Sequence, residues 1–266
     1  MTATAPTQHP PAPPQQEGWS DAELAANPHL RSDKPEKVRA MFAAIARSYD
    51  LNNRVHSLWQ DQLWRGYAVR WAATKPDDHV LDVACGTGDL SQAFARAGAK
   101  SVVGLDFTYE MLAIARQKAE GLPPNGRADI LTYLQGDAQK LPFPDASFDV
   151  VSIAFGIRNV LEPARAVGEF RRVLKPGGRL VILEFAEPKL APIRWFNNVY
   201  CRRIMPVTAT WISHDKSGAY KYLPKSVATF MRPEDLKGMM TSAGFAQVED
   251  RSLSLGICRC YRGVVA

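Results

Sequence analysis

Hydrophobic and polar residues follow two alternating patterns from residue 79 to the C-terminus. Short apolar runs are typical of strands buried on both faces of a parallel sheet, and stretches with apolar residues every three or four positions are typical of amphipathic helices. The apolar runs predict strands near 79–84, 101–106, 130–135, 148–154, 179–186, 245–252 and 256–264. The periodic stretches predict helices near 89–98, 108–120, 161–174 and 233–243. This alternation predicts an α/β fold: a mainly parallel, Rossmann-like sheet with one antiparallel strand and helices on both faces.

Two aromatic-rich segments interrupt the alternation, at residues 37–74 and 187–230. In an open parallel sheet the ligand binds beyond the carboxyl ends of the strands, and inserted segments usually cover that edge. We therefore expect these segments to form walls for an apolar substrate. Aromatic residues are equally typical of an additional helical layer of the core, so both interpretations stay open here.

The first 36 residues differ in composition from the rest of the chain. Five prolines occur before residue 17, and large apolar residues are almost absent before Trp19. Such a segment buries too little apolar surface to offset the entropy that it would lose on ordering. The composition predicts a disordered, proline-rich tail at residues 1–36 and a single domain at residues 37–266.

The chain carries a net charge of +6, and no apolar run approaches the roughly 20 residues that span a bilayer. The basic residues are scattered and no nucleic-acid-binding motif is present, so a lipid surface is favoured over nucleic acid, although an ordinary solvated surface explains the charge more simply. Neither a signal peptide nor a transit peptide is recognisable, and we expect a cytoplasmic protein that associates with the inner face of the membrane. The four cysteines lack the paired spacing of a zinc site, and no metal is predicted.

Candidate chemistry begins in the loop after the first predicted strand. Gly86 and Gly88 allow a sharp turn next to a ligand, and Asp106, at the end of the next strand, is placed to accept both hydroxyls of a ribose. Ser91 replaces the third glycine of a dinucleotide-binding fingerprint, which disfavours a pyrophosphate. Asp82 suits the ammonium group of a methionine moiety. These residues predict a site for S-adenosylmethionine, and a tight turn without a ligand is the alternative.

A third acid, Asp137, follows the third predicted strand. Its carboxylate and the following backbone amide suit the amino group and ring nitrogen of adenine, and Met111 suits the face of that ring. A turn-forming acid and an ordinary core methionine are the simpler interpretations. The shared position of Asp82, Asp106 and Asp137 at strand ends favours the ligand.

Arg158 and Asn159 directly follow the fourth predicted strand and indicate the acceptor. Methyl transfer to an aromatic carbon needs an electron-rich ring, which an ionised phenol supplies. Arg158 is predicted to stabilise the phenolate and Asn159 to orient its hydroxyl. A salt bridge from Arg158 to Glu184 is the alternative.

Several longer segments together resemble one family, the ubiquinone and menaquinone biosynthesis C-methyltransferases (UbiE/MenG) among the class I S-adenosylmethionine-dependent methyltransferases. The resemblance covers about residues 38–264. Its segments are 41–53 with Ser57 and Trp64-Arg65, 104–108, 154–159, 172–178 with 183–185, and 220–226. The chain departs from the family pattern at His56, Asp61 and Ala186, mostly on the substrate side.

The resemblance implies a class I fold and C-methylation of a prenylated quinol, from demethylmenaquinol to menaquinol or in ubiquinone biosynthesis. We assign to the cofactor, besides the residues above, Thr87, Phe107, Ala138 and Ala154. Further candidates are Tyr49 and Asp215 in catalysis and Asp50, Tyr220 and Tyr222 at the substrate. The polyprenyl tail of such a quinol implies a peripheral membrane protein, and a homodimer is compatible with the sequence.

Three alternatives to this function stay open from the sequence. The same cofactor half serves class I enzymes that methylate other small aromatic or lipid acceptors. A second alternative is a subunit that binds S-adenosylmethionine without turnover. An RNA methyltransferase is disfavoured because neither an Asn-Pro-Pro-Tyr-like motif nor a cysteine nucleophile motif is present. The sequence does not separate a naphthoquinol from a methoxy-benzoquinol acceptor.

Overall fold

A single seven-stranded sheet organises the computed structural model, which describes residues 18–215 and 217–266. The strands are β1 (His79–Val83), β2 (Ser101–Asp106), β3 (Leu131–Gln135), β4 (Phe148–Ala154), β5 (Leu174–Phe185), β6 (Phe245–Leu253) and β7 (Cys258–Val265). Their order across the sheet is β3-β2-β1-β4-β5-β7-β6, and β7 runs antiparallel to both of its neighbours. The prediction of a mainly parallel sheet with one antiparallel strand is confirmed.

The helices surround this sheet on both faces. They are α1 (Asp21–Ala25), α2 (Lys34–Ser57), α3 (Gln60–Trp71), α4 (Asp89–Arg96), α5 (Tyr109–Glu120), α6 (Pro163–Val173), α7 (Ala191–Val199), α8 (Met205–Ser213), α9 (Ala219–Ala228) and α10 (Pro233–Ser242). A π-helical turn, Tyr200–Ile204, joins α7 to α8. The four predicted helices are present. The predicted stop at 175–178 does follow α6, but those residues belong to the irregular beginning of β5.

Alternate residues of the central strands enter two apolar clusters. Leu81 and Val151 point to the face that α6 and α10 cover, whereas Val80 and Val150 point to the face that α3 and α4 cover. Side chains of a strand alternate between the two faces of a sheet, so a strand covered on both faces is apolar at nearly every position. This arrangement leaves the carboxyl edge of the parallel strands for polar groups.

A third apolar cluster joins the two aromatic-rich segments to each other. Met41 and Ile45 of α2 pack with Met205 of α8 and with Tyr220 and Tyr222 of α9. Within the segment 37–74, Trp64 packs in the core beside the sheet, whereas Tyr49 lines a cavity at the sheet edge. The cluster holds α2 above the carboxyl ends of the strands.

Residues before the predicted domain boundary at residue 36 contact the rest of the structure. Trp19 is 5% exposed and stacks on Tyr222, with 4.6 Å between the ring centroids. Buried Lys34 donates to the backbone carbonyls of Arg158 and Val160, at 2.9 and 2.7 Å. Trp19 and Lys34, both within the predicted tail, therefore have partners on distant elements of the structure. The rest of the predicted tail, residues 1–17, lies outside the described residues.

Candidate functional site

The loop between β1 and α4 turns back on itself through left-handed backbone conformations. Gly86 and Gly88 have φ values of +56° and +83°. A Cβ atom at Gly88 would lie 2.5 Å from the hydroxyl oxygen of Tyr133. Only glycine fits that position without displacing Tyr133. The close turn brings the N-terminus of α4 next to the carboxyl end of β1.

Asp82 is completely buried in β1 and is held by two hydroxyl groups. Its carboxylate accepts hydrogen bonds from Ser91 Oγ at 2.7 Å and from Ser152 Oγ at 2.9 Å. Burial raises the pKa of Asp82 to about 6, although both hydrogen bonds oppose this shift. Asp82 thus ties β1 to α4 and β4, and it also lines a small cavity.

Asp106 holds the glycine loop from the end of β2. Its Oδ2 atom accepts the backbone N–H of Gly86, and its Oδ1 atom accepts the backbone N–H of Thr108, each at 2.8 Å. Burial raises the pKa of this carboxyl despite these bonds. Each carboxylate oxygen has a further lone pair, so Asp106 is able to accept hydrogen bonds from a ligand in the same position.

Two adjoining cavities lie at the carboxyl ends of β1, β2 and β4, and Tyr49, Ala84, Gly86 and Ala154 line both. The larger also contains these predicted residues: Asp106, Phe107, Met111, Asp137, Ala138 and Asn159. The smaller contains Asp82 and Thr87. The structure therefore brings the predicted cofactor residues to one place, with Gly88 shaping the turn rather than lining a cavity.

A charged network joins α2 to the glycine loop. Thr87 Oγ1 donates to Asp50 Oδ1 at 2.6 Å, and Lys118 Nζ pairs with Asp50 at 2.6 Å and Asp89 at 2.5 Å. Although burial opposes it, the charge of Lys118 lowers the pKa of Asp89 to about 2. Asp50, predicted as a substrate residue, thus fixes α2 to the cofactor loop through Thr87.

Arg158 forms the salt bridge that the sequence left as an alternative. Its Nη1 atom lies 2.6 Å from Glu184 Oε1 and donates to the carbonyl of Phe155, also at 2.6 Å. Arg158 is not among the described residues that line the two cavities. Its Nε atom is buried and has no hydrogen-bond partner among the described residues. The guanidinium therefore keeps one buried donor, its Nε–H, that no described residue uses.

Asn159 lies in the larger cavity and is oriented by its neighbours. Its Nδ2 atom donates to the carbonyl of Phe155 at 3.3 Å, and its Oδ1 atom accepts from the hydroxyl of Tyr222 at 3.0 Å. Tyr222, predicted at the substrate, therefore acts on the cavity through Asn159. The predicted orienting role of Asn159 remains a proposal.

Tyr49, Tyr220 and Asp215 occupy different environments. Tyr49 lies at the junction of the two cavities, and burial raises the pKa of its hydroxyl. Tyr220 is buried in the third apolar cluster. Asp215 accepts the backbone N–H groups of Ser217 and Ala219, at 2.8 and 3.2 Å, and so caps α9. Asp215 is not among the described cavity-lining residues, so any catalytic role for it requires a different conformation.

Arg65 was missed as a site residue by the sequence reasoning. It lines the small cavity with Asp82, is buried, and forms an ion pair with Asp61 at 2.8 Å. Its guanidinium lies over the ring of Phe155, 5.4 Å from the centroid. The available signal was the Trp64-Arg65 pair in the family resemblance.

Comparison with known proteins identifies the family and the fold of this chain. A ubiquinone/menaquinone biosynthesis C-methyltransferase UbiE from Geobacter sulfurreducens is 42% identical, and the match covers 87% of this chain and 90% of that protein. A demethylmenaquinone methyltransferase from Thermus thermophilus is 46% identical over 84% of this chain and 99% of its own length. The fold matches the crystal structure of a SAM-dependent methyltransferase from Thermotoga maritima, with a TM-score of 0.60, 20% identity and coverage of 86% and 99%. The model of the ubiE/COQ5 methyltransferase family matches residues 30–265, and the chain belongs to that family.

Proposed function

We propose that the protein transfers a methyl group from S-adenosylmethionine to a ring carbon of a prenylated quinol, in menaquinone or ubiquinone biosynthesis. The observation that carries this proposal is the convergence of Asp82, Asp106 and Asp137 on cavities that Tyr49 and Asn159 also line. The names of the Geobacter and Thermus relatives support the quinol as acceptor.

The residues present fit S-adenosylmethionine along its length. In the small cavity, Arg65 and Asp82 offer opposite charges, which suit the carboxylate and the ammonium of the methionine end. Asp106 suits the ribose hydroxyls, and Asp137 with the Ala138 amide suits adenine. When bound, the cofactor supplies an electrophilic methyl group.

The residues around the cavity junction are suited to prepare the acceptor. Because burial raises the pKa of Tyr49, its hydroxyl stays protonated near neutral pH and is able to donate a hydrogen bond to a ring oxygen. Asn159 is held by Tyr222 in one orientation beside it. The buried Nε–H of Arg158, the residue before Asn159, has no partner among the described residues, and such a donor gains most when a substrate oxygen reaches it. Catalysis would then consist of alignment and stabilisation of the phenolate.

The polyprenyl tail of the proposed substrate is a reason to expect the enzyme at a membrane surface. Among the described residues, no helix is both long and apolar enough to cross a bilayer. We propose that the protein binds the inner face of the membrane peripherally and takes the quinol from there.

Lowering the pH through about 6 should weaken the binding of S-adenosylmethionine, because protonated Asp82 no longer attracts the cofactor ammonium. We expect a loss of up to about tenfold for each pH unit below that value. The unliganded protein should respond in the opposite direction. The pKa of Asp82 is raised above its ordinary value of 3.8, so its contribution to stability is lowest above pH 6 and improves as the pH falls.

Titration calorimetry between pH 5 and 8 on the wild type and on Asp82→Asn measures this effect. The variant should bind more weakly and lose the pH dependence, while the serine hydroxyls still bond its amide. An unchanged profile in Asp82→Asn would assign the titration to another group.

The proposed function is tested by supplying S-adenosylmethionine with a deuterated methyl group to two chemically reduced acceptors, a prenylated naphthoquinol and a prenylated methoxy-benzoquinol. Mass spectrometry should show transfer of the intact labelled methyl to a ring carbon of at least one of them. The oxidised quinones are the control, because they lack the electron-rich ring. Binding of S-adenosylmethionine without transfer to either quinol would contradict the proposal and favour a non-catalytic subunit.

A further inference from the structure

Large apolar side chains are exposed along the continuous helical run formed by α7, the π-helical turn and α8. Trp195, Phe196 and Trp211 are 69%, 65% and 78% exposed, and Ile204 and Val207 are exposed between them. None of the residues of α7, all of which are described, is buried. An exposed apolar group of this size on a folded protein indicates an interaction site. We call Trp195, Phe196, Ile204, Val207 and Trp211 the α7–α8 surface.

The charged residues around the α7–α8 surface are all positive. Residues 190–213 contain three arginines, Arg194, Arg202 and Arg203, and no acidic residue. All three arginines are exposed. Aromatic residues interleaved with arginines are typical of segments that lie at the boundary between lipid head groups and acyl chains.

Helix α2 connects the α7–α8 surface to the cavities. Met205 and Ala209 of α8 pack with α2 in the third apolar cluster, and His56 Nδ1 lies 3.0 Å from the hydroxyl of Tyr200 in the turn between α7 and α8. The end of α2 adds two exposed apolar side chains, Leu58 and Trp59.

The distance along α2 from Tyr49, at the cavity junction, to its exposed end at Leu58 is short enough for one substrate to span. Tyr49, at the junction of the cavities, precedes Leu58 by nine residues. At 1.5 Å per residue, this part of α2 is about 14 Å long. A ring held at Tyr49 therefore lies within the reach of a prenyl tail whose far end is in lipid beside Leu58 and Trp59.

We propose that the α7–α8 surface docks on a bilayer that contains anionic lipids. Its aromatic side chains would lie among the acyl chains, and the three arginines would contact the head groups. The identity of the quinol in this geometry rests on the proposed function, but the docking itself does not. A second copy of the chain fits less well. A two-fold interface would bring the same arginines of both copies to one patch that offers them no acidic partner from residues 190–213.

Co-sedimentation with vesicles tests the docking surface. One set of vesicles contains phosphatidylcholine alone and the other also contains phosphatidylglycerol. Wild type should bind the anionic vesicles more tightly. Arg202→Gln/Arg203→Gln should reduce the partition coefficient roughly thirtyfold, since each basic residue near such a surface contributes about 1 kcal/mol. Trp195→Ser/Phe196→Ser/Trp211→Ser should reduce it at least as much.

Two matched variants control for charge and for exposed apolar area. Arg96→Gln/Lys100→Gln removes the same charge from exposed positions around the end of α4, and Leu30→Ser/Leu134→Ser removes exposed leucines from a turn and from the sheet edge. Both should bind vesicles like the wild type. Thermal melting checks that every variant is folded.

Three outcomes would overturn the docking proposal. The first is no vesicle binding by the wild type. The second is a loss of vesicle binding in the control variants as large as in the test variants. The third is a shift of the aromatic triple variant from dimer to monomer in sedimentation velocity, with its vesicle binding unchanged. A tail-free quinol in solution separates this proposal from the proposed function. The triple variant should methylate that quinol at the wild-type rate, whereas absence of methylation by the wild type itself would contradict the function and leave the vesicle result standing.

Discussion

Replacing Asp106 by asparagine should weaken the binding of S-adenosylmethionine by about 100-fold. The aspartate accepts the backbone N–H groups of Gly86 and Thr108 on its two oxygens. An asparagine has one acceptor oxygen, so its NH2 group would face one of these two donors, and the acceptor for one ribose hydroxyl would be lost as well. Each hydrogen bond to a buried charge contributes about 1.5–3 kcal/mol. The variant loses one of the two ribose bonds and keeps the other only as a neutral one, which together corresponds to about two orders of magnitude in affinity.

Titration calorimetry of Asp106→Asn against the wild type measures this loss, with Asp129→Asn as a control in an exposed turn before β3. The control should bind like the wild type. Thermal melting without ligand should show a moderate loss for Asp106→Asn, because removal of an unfavourable buried charge only partly offsets the backbone N–H that is left without an acceptor. Wild-type affinity in Asp106→Asn would remove Asp106 from the cofactor site.

The meeting of the predicted cofactor residues at one sheet edge was predictable because their positions follow from local rules. A glycine turn at the end of one parallel strand and acids at the ends of the next two must meet at one edge of the sheet. Asp82, Asp106 and Asp137 needed no knowledge of distant contacts. The structure adds that Asp82 and Asp106 are also structural, since their hydrogen bonds hold the loop that forms the cavity.

Contacts between distant segments were not predictable in the same way. Trp19 stacks on Tyr222, about 200 residues later, and no periodicity in a proline-rich segment indicates such a partner. Arg65 lies on α3, in a segment for which no helix was predicted, and which face of that helix points to the glycine loop depends on how the helix crosses the sheet. The same uncertainty applied to each aromatic residue of the two inserted segments.

The partner of Arg158 shows where sequence reasoning reaches its limit. Both a phenolate and Glu184 were chemically suitable, and the choice depends on which way the side chain turns at the end of β4. The parallel pairing of β4 with β5 places Ala154 opposite Leu183 and so brings Glu184 beside the turn that carries Arg158. That register depends on tertiary structure and cannot be read from the local sequence. It favours the salt bridge in the unliganded protein.

Replacing Arg158 by methionine should lower the free energy of unfolding by about 3–5 kcal/mol, because Glu184 would be left buried without its partner. A double variant, Arg158→Met/Glu184→Leu, should recover most of this stability, since an apolar pair of similar volume replaces a buried ion pair at little cost. Denaturant unfolding measures both values. Glu184→Leu alone should be destabilised like the first variant, because it leaves the cation unpaired.

The rate of the double variant then decides what Arg158 does beyond this pairing. Since Nε of Arg158 is buried without a partner, we expect the guanidinium to serve the acceptor as well as Glu184. The double variant should therefore bind S-adenosylmethionine like the wild type, yet its kcat should stay at least tenfold lower, the effect of about 1.4 kcal/mol of lost transition-state stabilisation. Recovery of kcat together with stability would limit Arg158 to positioning the turn that carries Asn159, and the acceptor would then be activated by Tyr49 and Asn159 without it.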